Sequence, residues 1–130
     1  MRSVYDSIKS LFLARPQVAT TTVTGTGIDT MGYNDAMITL EVGTVSGTAP
    51  TLDGKIQESD TVGGTYTDIT GATFTQVTAS NSSQKIRVGG LGVGGRKRFI
   101  RFVGTIAGTT PSFTLAANAL FGNAFRKPVN

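Results

Sequence analysis

Residues 36–45, AMITLEVGTV, constrain the fold more than any other stretch of this chain. Ala36, Ile38, Leu40 and Val42 fall on one side of an extended backbone, and Met37, Thr39 and Glu41 fall on the other. Alternation of this kind matches a β-strand with one face in a core. The same texture recurs in short pieces. Turn signals at 46–50, 59–64, 70–71 and 79–83 separate runs at 51–58, 66–69, 72–78 and 85–88, with Leu52, Ile56, Ile86 and Val88 inward. A last run, SFTLAANALF at 112–121, places Phe113, Leu115, Ala117 and Ala119 on one face. Residues 17–24, QVATTTVT, are β-prone and mostly polar, as an edge strand is. Eight or nine short strands with no interleaved helices predict an all-β fold, an antiparallel β-sandwich that is jelly-roll-like or Ig-like. No internal repeat of solenoid or propeller length stands out.

The one helical pattern precedes this body. In residues 3–14, SVYDSIKSLFLA, the residues Val4, Ile8, Leu11 and Phe12 recur at i, i+4, i+7, i+8. Ser3 is placed to cap the helix, with Asp6 three residues on. Arg15-Pro16 ends it, because proline disfavours the α conformation at the residue before it. A helix this short needs packing to persist. It either lies on its own domain or docks on a neighbouring subunit. The expected organisation is a helical arm over 1–16, a β-domain over 17–122 and an extended tail over 123–130, the tail carrying Phe125, Arg126 and Lys127.

Composition removes whole classes of chemistry. The chain has neither histidine nor cysteine, so disulfides, thiol nucleophiles and histidine acid–base catalysis drop out. Tryptophan is absent too, which counts against a sugar-stacking platform. At 130 residues the chain is long enough for one core, and a net charge of +4 suits an acidic partner surface without requiring one. No apolar run approaches the ~20 residues of a membrane span. The patch Leu11-Phe12-Leu13-Ala14 is short and follows Asp6 and Lys9, so a secretory signal is not expected.

The densest charge lies at Arg96–Val103, RKRFIRFV, which holds four of the twelve Lys and Arg residues. Gly89, Gly90, Gly92, Gly94 and Gly95 precede it. The run from Gly90 to Gly95 matches G-x-G-x-x-G, and it nearly matches the phosphate-loop pattern. Both motifs work only when a helix follows and aims its first amides at phosphate. Phe99, Ile100, Phe102 and Val103 announce a strand instead, so the glycines read as a hairpin loop. The cations Arg96, Lys97, Arg98 and Arg101 have three readings. They serve nucleic acid beside Phe99, or an acidic protein partner, or only the rim of a core strand. The carboxylates show no pairing of the glycosidase kind, and Glu58-Ser59-Asp60 is their one dense spot, too thin for a calcium loop. No acid–base constellation is identifiable, so no enzymatic activity, metal or cofactor is expected.

The order of features resembles a known group. Gly32-Tyr33-Asn34-Asp35-Ala36 enters a strand ending in Val42-Gly43. Thr51 to Asp60 follows, TLDGKIQESD, then Gly64-Thr65-Tyr66-Thr67-Asp68-Ile69 with Gly71-Ala72. Arg96 to Arg101 and Gly108-Thr109-Thr110-Pro111-Ser112 complete the series. Over residues 28 to 122 this resembles capsid decoration, or cement, proteins of tailed bacteriophages. The resemblance implies a β-sandwich that binds the capsid exterior at junctions between major capsid protein subunits, acts as a homo-oligomer and needs no active site. Membrane and nucleic acid are not expected partners. The candidate interface then comprises Val4, Tyr5, Ile8, Leu11 and Phe12 of the arm, the cations Arg96, Lys97, Arg98 and Arg101, and Phe125, Arg126 and Lys127 of the tail. The alternative is a carbohydrate- or receptor-binding β-sandwich on a virion surface.

Overall fold

A computed structural model describes residues 8–91 and 95–124. Seven strands form one antiparallel sheet: β1 (Lys9–Ala19), β2 (Val23–Thr24), β3 (Ile28–Asp29), β4 (Tyr33–Ser59), β5 (Thr67–Thr73), β6 (Ser82–Gly89) and β7 (Phe99–Ala124). Its spine is the pair β4–β7, which runs from Tyr33 opposite Ala124 to Ser59 opposite Phe99. Neighbours flank this ribbon at both ends. β6 lies along Asp35–Val42 of β4, and β1 lies along Phe113–Phe121 of β7. At the other end β5 pairs with Lys55–Glu58, while β2 and β3 pair with Phe99–Gly104.

The predicted break between strands 36–45 and 51–58 is not a chain reversal. β4 runs straight through Ser46–Pro50, opposite Ala107–Ser112 of β7, with register shifts on both sides. The cause lies in a duplicated motif. Val42 to Pro50 reads VGTVSGTAP, and 61 residues further on Val103 to Pro111 reads VGTIAGTTP, identical at six of nine positions. In both copies the second glycine has a left-handed φ, +111° at Gly47 and +124° at Gly108, and so has the residue two positions on, 50° at Ala49 and 46° at Thr110. The copies cross. A Cβ at Gly47 would sit 2.7 Å from the Thr110 carbonyl oxygen, and one at Gly108 would sit 2.8 Å from that of Ala49. Each glycine is therefore required by its own backbone and by its twin. Pro50 and Pro111 are tolerated because the ladder is already broken at the shifts.

The duplication extends to topology. Each half of the chain is a set of shorter strands followed by one long strand, namely β1, β2, β3 and β4, then β5, β6 and β7. The long strands pair with each other, and each carries the shorter strands of the other half: β5 and β6 on β4, and β1, β2 and β3 on β7.

The core follows the alternation. Ala36, Ile38, Leu40 and Val42 are buried in β4, as are Phe113, Leu115, Ala117, Ala119 and Phe121 in β7. They join Leu52, Ile56, Ile100 and Phe102, from the other end of the ribbon, in one apolar cluster. Phe74 meets Phe102 edge-on, with ring centroids 6.2 Å apart.

Two further expectations are corrected. Among the described residues there is no helix, and Lys9–Ala14 of the expected helix 3–14 is strand. The apolar spacing at 8, 11 and 12 serves a helix face, but Leu13 is also apolar and fits a two-residue period with Leu11. The edge of β7 offers this segment a ladder with two register shifts, from Lys9 opposite Phe121 to Ala19 opposite Phe113. A lone short helix has no comparable partner. Pro16 sits in a register shift between Ala14 and Gln17, where its missing N–H costs no ladder bond. The sheet thus begins before residue 17. The second correction concerns the glycine loop. It does not join a hairpin, because β6 and β7 each pair with β4 and not with each other.

Candidate interface

The predicted cationic stretch straddles the start of β7. Ile100 and Phe102 turn into the core and are fully buried, while Arg101 and Val103 lie on the outward face and stay half-buried. Arg96, Lys97 and Arg98 precede the strand. The Thr30 N–H donates to the Arg98 carbonyl at 2.9 Å, and the Thr30 hydroxyl donates to the same oxygen. That anchor ties the segment before β7 to the segment that follows β3.

Each of these cations meets a group of its own chain. Arg98 grips Asp29 with two parallel bonds, Nε to Oδ1 at 2.8 Å and Nη2 to Oδ2 at 2.6 Å, the strong fork geometry. It also stacks over Phe99 at 5.3 Å. The Arg98 hydrogen bond holds the Asp29 carboxyl below its ordinary range, aided by the Met31 N–H and opposed by desolvation. Glu58 accepts from the Lys97 N–H at 2.9 Å and faces Arg96 Nη1 at 3.5 Å. Lys97 Nζ lies 3.9 Å from Asp60. Arg101 donates to Gln57 at 2.9 Å and covers the Tyr66 ring at 4.1 Å. The dense acidic spot at 58–60 thus serves the basic run. Buried Ser59 braces it by donating to the Thr61 carbonyl at 2.8 Å. Beside this network Asp68 takes bonds from Gln57 and Lys55, which lower its carboxyl in that order.

The other expected interface residues are scattered. Phe12 is 52% exposed on β1, whereas Leu11 packs partly against the core. Ile8 lines a groove on the outward face at the opposite end of the ribbon. Val4, Tyr5, Phe125, Arg126 and Lys127 lie outside the described residues.

Sequence reasoning misses that groove. It has a volume of about 470 Å³ and is lined by Ile8, Asp35, Met37, Lys85, Arg87 and Leu120, among others. Met37 stands opposite Leu120 on one side and Arg87 on the other, so an apolar floor meets a cationic wall. Arg87 Nε donates to both Asp35 oxygens, at 3.0 and 3.1 Å. The sequence signal is faint. Met37 is apolar on the polar side of the 36–45 alternation, and Leu120 is apolar on the polar side of 112–121.

No protein-family model matches the chain, and no curated protein matches it. Among solved structures it is similar to the SPBc2 prophage-derived protein YomS, at 12% identity over 88% of this chain and 91% of that one, with a TM-score of 0.48. A chain of infectious bursal disease virus, Gx strain, matches at 9% identity over 91% of this chain but only 32% of its own length, with a TM-score of 0.53. A family two carbohydrate esterase from Cellvibrio japonicus matches at 11% identity over 95% of this chain and 36% of that one, with a TM-score of 0.35. The likeness to the virus chain is one of fold.

Proposed function

We propose that this chain is a virion structural protein that binds the outside of a phage capsid and cements contacts between major capsid protein subunits, acting as a homo-oligomer. The observation that supports this reading is the fold likeness to a chain of infectious bursal disease virus across 91% of the present chain. The order of turn and strand residues from Gly32 to Ser112, which resembles phage decoration proteins, points the same way. On this reading the ends of the β4–β7 ribbon turn their apolar faces toward each other as a jelly-roll-like sandwich, and the outward faces are left for contact.

The mechanism needs no reaction. A protein that binds the assembled shell and not its separated subunits stabilises the shell by mass action, by about 2.7 kcal/mol at a hundredfold excess over Kd. A continuous β-ribbon suits the task, because load along it is shared by many backbone hydrogen bonds. The ion pairs of Arg98 and Arg96 match charge within the chain where β7 begins, so the basic run is not an open cationic patch. Mixing the purified protein with expanded, decoration-free phage capsids and sedimenting them tests the proposal. Co-sedimentation that saturates is expected. Protein that stays in the supernatant at saturating concentration refutes it.

A further inference from the structure

We infer that the open edge of β6, from Lys85 to Gly89, is a strand-docking site for an extended acidic segment of a partner protein. Three observations converge there. The first is the edge itself. β6 pairs with β4 along Ser82–Gly89, and on its other side the Gln84 side chain is tied to Thr75 by two bonds, one accepted from the Thr75 N–H at 2.8 Å and one donated to its carbonyl at 2.9 Å. Beyond Gln84, among the described residues, no strand pairs with the outer side of Lys85–Gly89. An unpaired edge presents alternate N–H and C=O groups to any extended chain, and natural proteins use this in β-augmentation.

The second is the groove beside that edge. Its lining includes three consecutive β6 residues, Lys85, Ile86 and Arg87, although neighbours on a strand point to opposite faces. The groove therefore borders the edge strand β6 and opens on the sheet's outward face. An added strand would lie on the rim, and one of its side chains would enter over Met37 and Leu120. The volume of about 470 Å³ admits a large aliphatic or aromatic side chain with room to spare.

The third is charge. Where β7 begins, Arg96, Lys97 and Arg98 meet carboxylates of this chain, and Lys55 meets Asp68. At the groove, Lys85 makes no ion pair among the described residues. Arg87 uses only Nε on Asp35, and its side chain is 77% exposed. The unmatched charge is positive, so the complementary segment places carboxylates beside the apolar residue that fills the groove. Specificity then comes from alternate side chains, and affinity from the ladder bonds. The site stands on this geometry and does not require the capsid reading.

The full-length protein, labelled with ¹⁵N, can be titrated with a blocked octapeptide of alternating leucine and glutamate, with the leucine–lysine octapeptide as control. Amide shifts and slowed hydrogen exchange confined to Lys85–Gly89, Met37 and Leu120 are expected. Lys85→Glu, at an exposed position that leaves the core intact, is expected to weaken the acidic peptide about fivefold, the size of one exposed ion pair. Any of four results overturns the site. These are no shifts, shifts centred on β1, equal binding of the lysine peptide, or protection of the β6 edge that grows with protein concentration alone, which would make a second copy the occupant.

Discussion

Replacing Gly47 with alanine probes the crossing of the two motifs directly. At a φ of +111° an L-residue is strained, and the added Cβ would stand 2.7 Å from the Thr110 carbonyl oxygen. Backbone strain of this kind costs about 1–3 kcal/mol. The contact is with backbone in a paired ribbon, so relief requires moving β7 as well as β4. A total near ~3 kcal/mol is expected, a large share of the ~5–15 kcal/mol by which domains are stable. With a urea m-value of about 2 kcal/mol/M, the unfolding midpoint falls by about 1.5 M. Gly108→Ala meets the mirror contact at 2.8 Å and should cost the same to within about 1 kcal/mol. The double variant should lose less than the sum, because opening the crossing once relieves both positions. Gly63→Ala is the control. Nothing lies within 4 Å of its Cβ, so its stability should change by less than about 0.5 kcal/mol. If Gly47→Ala matches that control, the crossing does not hold the ribbon together.

Phe102→Ala should cost about 3–5 kcal/mol in the same urea titration, because the ring is fully buried against Phe74. A loss under about 1 kcal/mol would show that the core closes without it. Leu13→Asp should unfold the domain, as judged by circular dichroism, while Phe12→Ser changes stability by no more than about 0.5 kcal/mol, since the neighbours are 2% and 52% exposed on opposite faces of β1. Equal effects would argue against a strand there. The Asp29–Arg98 pair sets a pH dependence. The folded pKa of Asp29 is lowered, so its stabilisation is complete above the unfolded value near ~3.9 and is lost as pH falls through the lower folded value. The melting temperature of the parent should therefore fall more steeply than that of Asp29→Asn below about pH 4. Parallel profiles would remove the pair from the acid response.

Much of the core is legible in the amino-acid sequence, because two-residue alternation is a local property. Residues 36–42 and 113–119 show which side faces inward without reference to a partner. The duplicated motif is also written there, as VGTVSGTAP and VGTIAGTTP, but six identities in nine residues are hidden among many glycines and threonines. Its meaning is not. Gly47-Thr48-Ala49-Pro50 has the composition of a turn, and only the second copy crossing it explains why the chain continues forward.

Residues 9–14 and the basic run mark the same boundary from two sides. The apolar spacing of the N-terminal stretch fits a helix or a strand, and the free edge of β7, supplied by residues about a hundred positions away, selects the strand. The charges of Arg96, Lys97 and Arg98 are written in the sequence, but whether they are available to a partner is not. Asp29 and Glu58 reach them from 38 to 69 positions away, through the pairing of β3 and β4 with β7. By itself the sequence determined a β-body with an alternating core and no histidine or thiol chemistry. The tertiary structure decided strand partners, the course of the chain through its glycines, and which cations remain unmatched. The physical reason is range: side-chain period and composition act between neighbours, whereas ladder bonds, crossings and ion pairs depend on residues brought together only by folding.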